Sequence, residues 1–411
     1  MSRSTKIMTI LTGTAWVSVY TGLYRLMTLL VSIMAARLLD VVDYGKVSIL
    51  QSTAALFIMF ATMGLGTVAT KLVAESDQKY IKSITFINFV LSLSAAIGLF
   101  LGANWIALEV YQDASLSNLI EFLSAYIFFS GMTQIQCSIL AGKEDYAKIA
   151  KVNLYSGILS IAIVFLAIKQ FGVAGWLLGL SALEIGKAIV LQLMIRKMYL
   201  SAPRRMSKKV FFHVSKLALP IALSGFFILP INWFLTKELL LENGYLDVAI
   251  MNISDQWVAI LTFFPIAIGN AMLPIMSKMR ASVDRKDISD LALKMNILFS
   301  TLICIPVVLV GEFVLKLYGD SYVQHANIFY YIAPLVIILS VTNQLNNRVI
   351  ADGRPALMMY SNLLWSVVCL PVSFYLIKVK LGVVAILIGR LVAYLVKLLF
   401  LYSYTRREPI A

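Results

Sequence analysis

The sequence predicts an all-α integral membrane protein, with about twelve transmembrane helices in two six-helix bundles around a central cavity. Of the 411 residues 60% are apolar and 14% are charged, about half the charged share of a soluble domain. A helix that crosses a bilayer uses about 20 apolar residues, so the apolar content suffices for a dozen crossings. Apolar windows also recur along the whole chain between short loops, which leaves no room for a large soluble domain.

In order, the windows fall at about 9–36, 47–70, 83–106, 119–141, 152–170 and 174–195, then at about 211–236, 247–274, 291–315, 326–347, 356–377 and 382–404. The first follows Arg3 and Lys6 and has no short apolar core with a small-residue cleavage site, so it is expected to be a retained span. Each later window is bounded by charged or Gly/Pro-containing loops. The most basic of these, RKMYLSAPRRMSKK at 196–209, divides the chain into expected bundles 1–200 and 201–411. Loops on alternate sides differ in charge: 23 Lys and Arg lie on the side of the termini and 7 on the other. The positive-inside rule then places both termini in the cytoplasm, and the net charge of +14 reflects topology and contact with anionic lipid rather than nucleic-acid binding.

The halves resemble each other. A gapless shift of 210 places Gly172 on Gly382, Gly179 on Gly389 and Lys187 on Lys397; a shift of 201 to 203 places Tyr44 on Tyr245 and Gly66 on Gly269. Six spans per half make the repeat parallel, a plan that creates a cavity able to open to either side.

Soluble-enzyme chemistry finds no support. There is no G-x-x-x-x-G-K-[ST] phosphate loop, nucleophile elbow or H-E-x-x-H helix. Cys137, Cys304 and Cys369 lie in apolar runs without metal spacing, and His213 and His325 stand far apart. Neither a cofactor nor a metal is expected, and the chain reads as a non-enzyme.

Chemistry should instead sit inside the bundle, where an ionised side chain costs from about 2.5 to more than 10 kcal/mol. Arg25, in mid-span, is least able to reach an interface. Arg390, Tyr394 and Lys397 recur on one face of the last span, although Lys397 is near enough to the end to snorkel. Lys187 follows Glu184 by three, which favours an internal ion pair. Lys216 opens the seventh span and binds either substrate or headgroups. The excess of cations suits an anionic ligand such as phosphate or pyrophosphate. Asp255 is either a proton or sodium carrier or a structural partner of one of the cations. Asn343, Gln344, Asn346 and Asn347 either bind sugar hydroxyls or join helices. Prolines 220, 230, 265, 274 and 306 mark expected kinks.

The run Ala36-Arg37-Leu38-Leu39-Asp40-Val41-Val42-Asp43-Tyr44-Gly45, then Gly64-Leu65-Gly66 and Lys71-Leu72-Val73-Ala74-Glu75, resembles the polysaccharide-biosynthesis flippases. These are the Wzx-like O-antigen transporters of the multidrug/oligosaccharidyl-lipid/polysaccharide (MOP) superfamily. The resemblance implies a protein of the bacterial cytoplasmic membrane that carries undecaprenyl-diphosphate-linked oligosaccharide repeat units from the inner to the outer leaflet, coupled to an ion gradient. It implies a cationic cavity for the headgroup, to which Arg25 corresponds by position, with Lys216, Arg390, Tyr394 and Lys397 as further substrate contacts and Asp255 for coupling. Implied partners are the lipid-linked oligosaccharide, membrane lipids, and a glycan polymerase with its chain-length regulator. Two other readings stand beside this one: a cation-coupled multidrug exporter, which would favour an acidic lumen, and a membrane polymerase or ligase, which would favour a large periplasmic loop.

Overall fold

The structure is a computed structural model that describes residues 22–76, 80–201, 208–263, 265–267, 282–351, 354 and 356–407. Among them the chain is helical throughout. After a helix over 22–38 (α1) come α2 Val41–Thr62, α3 Leu65–Ser76, α4 Ile81–Trp105, α5 Ser117–Gly142, α6 Tyr146–Ser201, α7 Lys208–Phe226, α8 Leu229–Asn243 and α9 Tyr245–Leu261. Then follow α10 Ser282–Leu309, the short α11 Gly311–Lys316 and α12 Asp320–Val323, and α13 Ile328–Ala351, α14 Ala356–Lys378 and α15 Val383–Arg407. Seven of these stretches are long and apolar enough to cross a membrane. One of them serves two expected spans: α6 is broken at Gly172, whose φ of 57° and ψ of −131° fold it into a hairpin. A Cβ at Gly179 would touch Val164, and one at Gly175 would collide with the Ala167 carbonyl.

The remaining expected spans are also helical where described. The fourth is the 26-residue α5, the seventh is split into α7 and α8, and the eighth is α9 as far as Leu261. Residues 9–21 of the first span, the linker 202–207, and 268–281 with Pro274 lie outside the described residues. Pro220 and Pro306 fall inside α7 and α10 and Pro230 opens α8; Pro334 and Pro371 also lie within helices.

Burial is inverted relative to a soluble protein, as lipid demands. On α4, Asn88 is 1% exposed while Leu101 is 76% exposed. The Asn88 amide donates to the carbonyls of Ala61 and Gly131 at 3.2 and 3.3 Å. A buried amide bonded to neighbouring backbones joins helices where apolar packing cannot discriminate against lipid. Small residues permit the approach, since a Cβ on Gly131 would meet Ser92 and Ala61.

The motif that opens α2 has a local cause. Asp40 is its N-cap, extended at φ −72°, and accepts from the Asp43 N–H at 2.7 Å, one of the donors a helix start leaves unpaired. Tyr44 is fully buried and its hydroxyl meets Ser32 at 2.6 Å. At the other end Met63 and Gly64 adopt left-handed backbone, and a Cβ on Gly64 would press on the Ala218 carbonyl, which explains the glycine after α2.

Contacts divide the described residues into two compact units, one ending at Trp233 and the other beginning at Phe234. In the first, α2 to α6 pack around α5 and α3 packs on α7, over a core that includes Leu65, Val68, Ile84, Ile139, Leu191 and Val214. In the second, α15 packs between α13 and α14, α10 against α13, and α9 against α13 and α15.

One end of the second unit carries a polar clamp. Lys378 and Lys380 donate to the Glu242 carboxylate at 2.6 and 2.7 Å, and Lys378 lies 3.4 Å from the buried Glu238. Asp247 accepts from the Val383 N–H at 2.7 Å and so caps α15. The two lysines hold the Glu242 carboxyl well below its usual value, at about 2. A depressed folded-state pKa contributes stability above the unfolded value of 4.5 that is lost as pH falls towards about 2. Glu242→Gln is therefore expected to lower thermal stability by a constant amount between pH 5 and 8. The difference from wild type should shrink below pH 4.5, and a difference that persists at pH 3 would contradict this account.

Candidate functional site

In the second unit α15 presents Arg390, Tyr394 and Lys397 along one face, as their spacing requires. Arg390 Nη1 donates to Asp255 Oδ1 on α9. Arg390 is 12% exposed and Asp255 47%, so the partly desolvated guanidinium has a charged acceptor. Of the two expectations for Asp255, the structure places it as partner of a cation. One turn on, Tyr394 packs against Trp365 of α14 with ring centroids 5.6 Å apart.

Lys397 does not snorkel. It is 4% exposed, its Nζ donates to Asn362 Oδ1 on α14 at 2.6 Å, and it lies 5.7 Å from the Tyr394 ring centroid. Asn362 is itself buried, so this ammonium ends on a neutral amide inside the bundle. On α10 and α13, Asn296, Gln344, Asn347 and Arg348 are also buried, and Asn296 Nδ2 reaches Gln344 Oε1 at a long 3.5 Å. The N–H groups of Gln344, Asn347 and Trp365 are buried without a hydrogen-bond partner. This interior is rich in donors.

The first unit holds a different cluster. Lys187 pairs with Glu184 at 3.0 Å, the bond its i,i+3 spacing predicts, and its amine sits 5.7 Å from the Tyr24 ring. Thr133 on α5 donates to Glu184 at 2.6 Å, and Gln136 to Gln192 at 3.0 Å. Arg25 is half-buried on α1, next to Tyr24, and its carbonyl accepts from Thr28. Lys216 is exposed on α7, a placement that suits a headgroup better than an enclosed ligand.

The structure thus brings Asp255, Arg390, Tyr394 and Lys397 together in one unit and places Arg25 and Lys216 in the other. Sequence reasoning missed Asn362, Trp365, Thr133 and Gln136. All four are uncharged residues within apolar runs, and at about 1 kcal/mol per interhelical hydrogen bond they leave no cost signal to read.

A chain of crossing helices with inward amides, a buried ammonium and two compact helical units is a polytopic membrane transporter rather than a membrane-anchored enzyme. The family described as polysaccharide biosynthesis protein matches residues 10–280, more than half of the length, and the chain belongs to that family. It is 22% identical over 384 residues to the EPS I polysaccharide export inner membrane protein EpsE of Ralstonia nicotianae, covering 90% of this chain and 88% of that one. Its fold is similar to an inward-facing multidrug resistance MATE family transporter of the MOP superfamily, with a TM-score of 0.77 at 13% identity over 94% of this chain and 96% of the other. A MOP superfamily transporter from Pyrococcus furiosus gives 0.71 at 14% identity over 96% and 95%. The protein is a Wzx-like, multi-pass inner-membrane transporter of the MOP superfamily.

Proposed function

We propose that this transporter is a flippase that moves undecaprenyl-diphosphate-linked oligosaccharide repeat units from the cytoplasmic to the periplasmic leaflet by alternating access, without catalysing a covalent step. The observation that carries this reading is Lys397, a buried ammonium held by a neutral amide. A charge this deep calls for a counterion, and a diphosphate supplies one. In this reading Arg25, Arg390, Tyr394 and Lys397 attract the diphosphate within a central cavity of two six-helix bundles, 1–200 and 201–411. Lys216 meets headgroups at the entrance, and the lipid tail stays in the bilayer.

Coupling to a proton or sodium gradient is assigned to Asp255, whose 47% exposure leaves it open to exchange when Arg390 turns to the ligand. Both termini are cytoplasmic, and a glycan polymerase with its chain-length regulator takes the product.

The test is leaflet-resolved mass spectrometry of lipid-linked oligosaccharides in cells with and without the gene. A complete repeat unit accumulating on the cytoplasmic leaflet supports the flippase and names its sugar. Accumulation on the periplasmic leaflet would assign the protein to polymerisation or ligation, and no change would favour an exporter.

A further inference from the structure

The two halves repeat in register, and their buried lysines differ in one respect. The 210-residue shift that aligns Gly172 with Gly382 pairs two backbone breaks, at φ 57° and 59°. It also pairs Gly179 with Gly389, two sites where a Cβ would press on the preceding helix, at Val164 and Ser373. Lys187 and Lys397 follow in the same register, each with its amine 5.7 Å from a tyrosine ring. Lys187 has the carboxylate of Glu184 three residues before it. At the equivalent position, three residues before Lys397, stands Tyr394.

An ammonium offers three N–H groups. That of Lys397 spends one on Asn362, and no carboxylate meets it among the described residues. Asp255 is engaged seven residues earlier by Arg390, about 10 Å along the helix axis. Beside Lys397, Trp365 shares a face of α14 with Asn362 and keeps a buried indole N–H without an acceptor at 1% exposure. One repeat therefore carries its own counterion, while the other joins a cation to an unused donor.

We propose that Lys397 and Trp365 bind a phosphate-class oxyanion brought by the ligand, which takes the place that Glu184 holds beside Lys187. The two remaining ammonium hydrogens and the indole N–H are its donors. The inference rests on the flippase reading only for the source of that oxyanion, the diphosphate of the carried lipid; an anionic headgroup offers the same chemistry.

The decisive substitution transplants the missing acid. Tyr394→Glu sets a carboxylate three residues before Lys397, as in the first repeat, and should expel the ligand anion while keeping the bundle neutral. Inorganic pyrophosphate binding to the full-length protein in nanodiscs of neutral lipid is expected to weaken at least tenfold in Tyr394→Glu and in Lys397→Gln, and to be unaltered in Lys169→Gln, a surface control. Glu184→Gln, which strips Lys187 of its counterion, should add a second pyrophosphate per chain; this measurement stands even where Tyr394→Glu does not fold.

Phosphatidylglycerol titrated into the nanodiscs distinguishes the sources, since competition with pyrophosphate at Lys397 marks a headgroup site. Pyrophosphate bound no better than sulfate at equal ionic strength, or equally well by wild type, Lys397→Gln and Tyr394→Glu, would overturn the proposal. Unchanged leaflet distribution of lipid-linked sugars together with a lost pyrophosphate site would sink the flippase reading alone.

Discussion

Replacing Arg25 and Arg390 together by Ala is expected to reduce surface glycan about 100-fold or more and to strand the lipid-linked repeat unit on the cytoplasmic leaflet. A charge-assisted hydrogen bond contributes about 1.5–3 kcal/mol, and two of them lost at the diphosphate amount to two or more powers of ten. Full glycan assembly by the double variant, in cells without another copy, would remove the cationic-site argument. Asp255→Asn separates the roles of Arg390, because the pair is already formed in this structure. If Arg390 serves only to hold Asp255, Asp255→Asn should match Arg390→Ala. If Arg390 meets the ligand, Asp255→Asn should leave diphosphate affinity intact or raised and damage only the dependence on the ion gradient.

The second large effect is expected in stability, at Gly382→Ala. Gly382 has φ of 59°, which costs an L-residue about 1–2 kcal/mol. The new Cβ would also collide with the Asp247 carboxylate, the acceptor that caps α15 at the Val383 N–H. Loss of that charged hydrogen bond adds about 1.5–3 kcal/mol. The total of about 3 kcal/mol or more should lower Tm in detergent by about 5 °C or more. Gly98→Ala is the contrast, since a Cβ there meets nothing within 4 Å and a helical alanine is favoured over glycine by about 1 kcal/mol. Equal Tm values for the two variants would show that the cap contributes nothing.

The clamp and the buried clusters show how differently the parts of this protein can be read. The Glu184–Lys187 pair was legible because both partners lie on one helix at a spacing that forces them together. The Asp255–Arg390 pair spans 135 residues; the sequence marked both as charges that need partners and left the partner of each undecided. Asn362, which receives Lys397, was invisible because a neutral amide in an apolar run violates no rule. Lys378 and Lys380 were read as loop charges, and only the fold brings them to Glu242.

By itself the sequence determined that the chain is a helical membrane protein with repeated halves and cations at depth. Lipid offers the backbone no hydrogen bonds, so each crossing must be a long apolar helix, and such helices are written as continuous windows. It also determined which residues share a helical face, since 3.6 residues per turn admit little choice. Tertiary structure alone decided which faces meet: that Lys397 points inward to Asn362 instead of outward to headgroups, and that Asp255 answers Arg390. Apolar faces of membrane helices pack against lipid and against one another at similar cost, so the choice of neighbour rests on small residues and scattered hydrogen bonds. Those determinants lie far apart in the chain and become neighbours only on folding.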